Sequence, residues 1–91
     1  MRFTWDPRKA AANERKHGVT FEEAVTVFAD PLAIVVADTC HADRELIVGE
    51  SSLGSLLVTV FAEIKEDEVR IISARCATKC ERRRYEEGDK A

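Results

Sequence analysis

Arg70-Ile71-Ile72-Ser73-Ala74-Arg75-Cys76-Ala77-Thr78-Lys79-Cys80-Glu81-Arg82-Arg83-Arg84-Tyr85 is a β-rich run that passes directly into a helix-forming one. Val69 to Ala74 has the branched aliphatic content of a strand, and Ala77 to Glu87 is rich in residues that lose little freedom in a helix. Charge gathers in the same place. Arg70, Arg75, Lys79, Arg82, Arg83 and Arg84 stand there against one acid, Glu81, in a chain whose net charge is −3. An otherwise acidic protein thus has one cationic end, a place for an anionic partner, nucleic acid first. The plainer reading is a solvated helix whose arginines offset Glu66, Asp67, Glu68, Glu86 and Glu87.

Upstream, three further runs rich in Val, Ile and Leu cover Leu32 to Ala37, Glu45 to Gly49 and Leu56 to Ile64. Turn-forming stretches, Ser51-Ser52-Leu53-Gly54 and Lys65 to Glu68, separate them. With Val69 to Ala74 they read as four antiparallel strands in hairpin order. Before Leu32 the period is helical. Asp6-Pro7 starts a helix over Pro7 to Lys16, because Asp caps free amides and Pro needs none at the first position. His17-Gly18 ends it. Its apolar side is only Ala10, Ala11 and Ala12, so Lys9, Asn13 and Lys16 are expected to face solvent or a ligand.

Thr20 and Glu23 have capping-box spacing, with Val19 and Ala24 as the staple. A second helix follows, burying Phe21, Ala24, Val25, Val27 and Phe28, until Asp30-Pro31 stops it. Arg2 to Trp5 alternates as a short strand with Phe3 and Trp5 on one side. The expected fold is α+β in the order β-α-α-β-β-β-β-α, a small antiparallel sheet with helices packed mainly on one face. One domain spanning 1–91 is expected, with no linker or repeat to divide it.

Hydrophobic residues at 45% and charged ones at 34% exclude a disordered tail and a uniformly basic histone-like binder. No apolar run is long enough to span a bilayer and the N-terminus has no signal-peptide core, so a cytoplasmic protein is expected. Three cysteines, an odd number, suit reduced thiols rather than a disulfide framework. Cys76 and Cys80, one helical turn apart, with Cys40 and His41, are the nearest approach to a metal set. They lack tight ligand pairs, and neither metal nor cofactor is expected.

Trp5-Asp6-Pro7, Lys9, Asn13, Lys16-His17-Gly18-Val19, Phe21-Glu22-Glu23-Ala24, Asp30, Arg44, Gly49, Arg70-Ile71-Ile72-Ser73-Ala74-Arg75, Ala77-Thr78 and Glu81-Arg82, in this order and spacing, resemble the BrnT family of bacterial type II toxins. The resemblance spans nearly the whole chain. It implies a RelE-like fold, inhibition of translation by RNA cleavage, and neutralisation by a BrnA-like antitoxin. It also implies that operator DNA is bound only through the toxin and antitoxin together. The chain departs from the pattern at Cys76 and Cys80, where such sequences carry basic or small residues, and at Glu63-Ile64-Lys65.

Metal-free RNA cleavage needs a base for the 2′-OH, an acid for the leaving 5′-oxygen, and fixed cations for the charge growing on the phosphate. Arg75, at a strand end, is the first choice for the phosphate, because its planar fork donates two hydrogen bonds at once. Arg70 is the second. Five positions apart on a regular strand, they would lie on opposite faces, so both serve one site only if the chain bends before Arg75. Arg70 is equally a cross-strand partner of Glu63.

For proton transfer the residues offer His17, Glu63, Tyr85 and Lys16. An imidazole is a common proton-transfer group, but His17 equally suits a helix cap. Glu63 shares a strand face with Thr59 and Phe61, a face that can meet RNA. Tyr85 is a proton donor, a stacking platform or a core cover. Trp5 stacks on a base or, more simply, belongs to the core. Lys9, Lys16, Lys79 and Arg82 are candidates to hold the RNA backbone. Arg44 is another, or else a partner of Asp38 or Asp43. The competing function is a non-catalytic module that binds nucleic acid or an antitoxin without turnover.

Overall fold

A computed structural model describes residues 1–88. The elements are β1 (Arg2–Thr4), α1 (Pro7–His17), α2 (Phe21–Val25) running into a 3-10 turn (Thr26–Ala29), β2 (Ile34–Ala37), β3 (Glu45–Glu50), β4 (Leu56–Lys65), β5 (Glu68–Cys76) and α3 (Lys79–Glu87). This is the order the sequence predicts. The strands form one sheet, β1-β5-β4-β3-β2.

The hairpin order of β2 to β5 holds, each pair antiparallel. β1 differs. It pairs parallel with the start of β5, Phe3 opposite Val69, so the sheet is mixed rather than wholly antiparallel. Parallel neighbours need a long crossover, and everything between β1 and β5 supplies it.

Local chemistry sets the helix ends. The Asp6 carboxylate accepts from the Arg8 amide at 2.8 Å, and Gly18, at φ 70°, donates its amide to the Glu14 carbonyl at 2.8 Å. At α2 the Thr20 hydroxyl accepts from the Glu23 amide, while the Glu23 carboxylate turns to the Ser51 hydroxyl at 2.7 Å and ties the β3–β4 loop to the helix. The reciprocal capping box forms elsewhere, between Thr78 and Glu81 at the start of α3.

Both sheet faces carry cores. On one, Val19, Phe21, Ala24 and Val27 pack on Ile47, Leu57, Phe61, Val69, Ile71 and Ala74, with Ala10 of α1 and Trp5 at the margin. Rings interlock there, Phe3 on Phe28 at 5.0 Å, Phe28 on Phe61 at 5.1 Å, and Trp5 edge-on to Phe21 at 5.9 Å. The other face buries Val48, Leu56 and Val58 beneath Ala77 and Tyr85. So α1 and α2 cover one side, and α3 lies on the other. Among the described residues no helix is long and apolar enough to cross a membrane.

Candidate functional site

One extra residue in β5 decides where the arginines point. Arg75 pairs with Val58 and Ser73 with Val60, but Phe61 then pairs with Ile71 and Ala62 with Arg70. Ile72 is left without an opposite number, a β-bulge. Val58 and Ala62 are four apart on β4 and share a face, so their partners Arg75 and Arg70 do too. It is the face that carries α3, because Val58 belongs to the core beneath that helix. The bend that two arginines at this spacing require is therefore present.

Arg70 is exposed, while Arg75 is half-buried and held. Its Nη1 and Nη2 each donate to one carboxylate oxygen of Glu81 at 2.8 Å, and Nη1 also donates to the Cys76 carbonyl at 3.3 Å. The hydrogen bonds from Arg75, together with the Thr78 amide, outweigh burial and hold the Glu81 carboxyl down at about 2. The same carboxylate raises the pKa of Arg75.

Behind Arg75 stands Asn13, which is buried rather than turned to solvent or a ligand as its polar helix suggests. Its Nδ2 donates to the carbonyls of Val19 (3.0 Å) and Ala74 (2.8 Å), and its Oδ1 accepts from the Ala74 amide at 3.0 Å. β1 covers β5 at Glu68 to Arg70, so among the described residues the outer edge at Ala74 has no neighbouring strand, and a carboxamide satisfies it instead. Asn13 thereby joins three places: α1, the residue before Arg75, and Val19, two residues after His17. A sequence signal exists, since Asn13 lies three positions from Ala10 and so on the same helix side.

The other candidates divide by face. Glu63 pairs with Val69 and shares its side with Thr59 and Phe61, as expected; that side is the one α1 and α2 cover, with Glu63 itself exposed near the strand end. Thr59 is fully buried with its hydroxyl toward the Ala24 carbonyl at 3.5 Å. Glu63 therefore projects from the face opposite the arginines, and Arg70 has Ala62, not Glu63, as its cross-strand partner. Trp5 sits against Phe21. His17 closes α1, exposed, with Lys9 and Lys16 exposed on the same helix.

On α3, Lys79 and Arg82 are exposed, whereas Tyr85 is half-buried over Val48, Leu56 and Val58. Its hydroxyl donates to Asp30 at 2.6 Å, which with burial raises the phenol to about 12. Burial pushes Asp30 up, but hydrogen bonds from the Glu50 amide, Tyr85 and the Leu32 amide bring its carboxyl below the usual range. Arg44 precedes β3, one step from Glu45, which faces Phe61; this sets it near the level of Ala62 and Arg70. Its Nε is buried without a hydrogen-bond partner among the described residues. Asp38, one of its expected partners, faces His41 at 3.5 Å. The cysteines are free and exposed, and no three His, Cys, Asp or Glu side chains among the described residues group as metal ligands.

What sequence reading missed is thus Glu81, Asn13 and Asp30, the polar groups that fix the arginine and the helices around it. Thr78 and Glu81 carry the same capping-box spacing as Thr20 and Glu23, and that signal marks Glu81.

Residues 5–81 match the family described as "Ribonuclease toxin, BrnT, of type II toxin-antitoxin system". The fold superposes on the Brucella abortus ribonuclease toxin BrnT with a TM-score of 0.72 at 26% identity, covering 87% of this chain and 99% of that one. No curated protein matches the chain. A family match over most of the chain, on a fold that superposes on a solved member, shows that this protein belongs to the BrnT family of type II ribonuclease toxins.

Proposed function

We propose that this chain is a one-domain, metal-independent endoribonuclease that cleaves RNA in the cytoplasm and so inhibits translation. A BrnA-like antitoxin neutralises it, and operator DNA is engaged only through the complex of the two. The observation that carries the reading is the Ile72 bulge, which sets Arg70 and Arg75 on one face of the sheet. Two guanidinium groups on a common face suit one phosphodiester, holding charge as it builds on the phosphate oxygens.

For proton transfer we take His17, which closes α1 on the face away from the arginines and would reach them around the β5 edge at Ala74. Glu63 stands on the opposite face, and Tyr85 holds its proton, donating it in a hydrogen bond to the Asp30 carboxylate. His17 lies two residues before Val19, which shares the Asn13 carboxamide with Ala74, next to Arg75. Lys79 and Arg82 on α3, with Arg44 beside Ala62, extend the cationic surface along the backbone of the RNA. Lys9 and Lys16, exposed on α1 across the sheet, would meet the RNA only where it passes around the β5 edge.

Purified protein incubated with RNA in chelator is expected to cleave it and leave cyclic phosphate ends. Arg75→Ala, folded by circular dichroism, is expected to lose cleavage and growth inhibition together. Wild-type cleavage by that variant removes Arg75 from the site, and binding without cleavage by the unaltered protein favours a non-catalytic module.

A further inference from the structure

We infer that Glu81 is a positioning residue for Arg75, turning the guanidinium so that its Nε and Nη2 edge faces outward as a two-pronged seat for phosphate. This rests on the placing of Arg75 in the proposed site and adds how the arginine is aimed.

A guanidinium carries five N–H donors in one plane. Glu81 takes one from each terminal nitrogen at 2.8 Å, and the Cys76 carbonyl takes the second of Nη1 at 3.3 Å. Two remain, on Nε and Nη2, and they lie side by side along the edge of the fork. None of the described hydrogen bonds uses them, and the side chain is 37% exposed, so a phosphate can reach that edge. Glu81 itself is fixed from behind. Its Oε1 accepts from the Thr78 amide at 2.8 Å, and its own amide donates to the Thr78 hydroxyl at 3.2 Å.

Thr78, Glu81 and Arg75 therefore form a chain of hydrogen bonds that is complete before RNA arrives, as preorganised charge stabilisation requires. The opposite possibility is that Glu81 occupies the phosphate's place and must be displaced. Displacement would break both bonds to Arg75 and the helix cap, whereas side-edge binding breaks none. The low pKa of Glu81 keeps it ionised throughout the physiological range.

Nitrogen-15 labelled protein tests this with and without turnover. The Arg75 Nε–H signal is expected to stand apart from those of free arginines and to move when an RNA oligonucleotide is added. Glu81→Gln should merge it with the rest, while Thr78→Ala, which leaves the carboxylate in place, should keep it. In cleavage assays Glu81→Gln should lower kcat by roughly ten- to a hundredfold, the scale of a misplaced catalytic group, with RNA affinity kept or tightened. In an Arg75→Ala background it should lower whatever residual cleavage remains no further. Glu81→Asp, with the charge drawn back by one methylene, should fall between.

Equal or faster cleavage by Glu81→Gln would mark a gate and overturn the inference. So would an Arg75 Nε–H signal that RNA leaves unmoved, or a further loss of residual cleavage in the Arg75→Ala background. A wild-type protein without cleavage defeats the functional reading alone, because the Nε–H signal still decides how Glu81 acts.

Discussion

The carboxamide of Asn13 closes both backbone groups of Ala74, accepting from its amide at 3.0 Å and donating to its carbonyl at 2.8 Å. A helix side chain thus substitutes for a strand at the position just before Arg75, and it is the main polar link between α1 and the sheet.

Replacing Asn13 by Leu leaves the Ala74 amide and carbonyl and the Val19 carbonyl short of a partner. The expected cost is roughly 2–4 kcal/mol, from more than one unsatisfied buried group. Urea denaturation measures it, and a change below about 0.5 kcal/mol, the size of an ordinary surface substitution, would contradict the role given to the carboxamide.

Arg70 and Glu63 separate the two faces of the sheet. Arg70→Ala is expected to weaken RNA binding and to reduce the slope of log affinity against log salt by about one phosphate contact. Glu63→Gln, on the other face, is expected to leave both quantities and the cleavage rate as they are. Titrations at several salt concentrations distinguish the variants, and a cleavage loss confined to Glu63→Gln would move the site across the sheet.

Acid sensitivity follows from Glu81. Its carboxyl is held at about 2 against an ordinary 4.5, so the folded protein binds its proton later than the unfolded chain does. The stabilisation is present above about 4.5 and is lost as pH falls toward about 2. Wild type should exceed Glu81→Gln in stability at pH 6, and the difference should shrink across that window. A difference constant from pH 6 to pH 2 would show that the ion pair contributes nothing to folding.

Gly49 packs where a side chain does not fit. An added Cβ would stand 3.0 Å from Ala33 Cβ and 3.2 Å from the Val27 carbonyl oxygen. Gly49→Val should cost about 1–3 kcal/mol by overpacking. A thermal midpoint equal to that of the wild type would refute this.

Much of the fold was legible because hydrophobic period and helix punctuation agree along the chain. Asp6-Pro7, Gly18 and Thr20 mark helix ends where the structure has them, and the four hairpin strands keep their order. The parallel placement of β1 was not legible, since three residues carry no signal for which edge they join. Nor was the bulge. Ile71-Ile72-Ser73 contains neither Gly nor Pro, and the extra residue shows only in its register against β4.

Of the site, the arginines were legible and their environment was not. Arg75 stands out by charge, but the carboxylate that grips it reads in sequence as a lone acid in a basic window. Glu63 was placed correctly with Thr59 and Phe61, yet which helices take which face depends on tertiary packing, and α1 and α2 take that one while α3 takes the face of the arginines.

Among the described residues β1 shields the first three residues of β5, and beyond Arg70 an amide-bearing side chain meets the sheet margin at Ala74. An uncapped margin there would invite the same strand of another molecule to pair with it. Asn13 therefore also works as a guard against self-association, and its removal is expected to yield protein that aggregates on concentration before it unfolds.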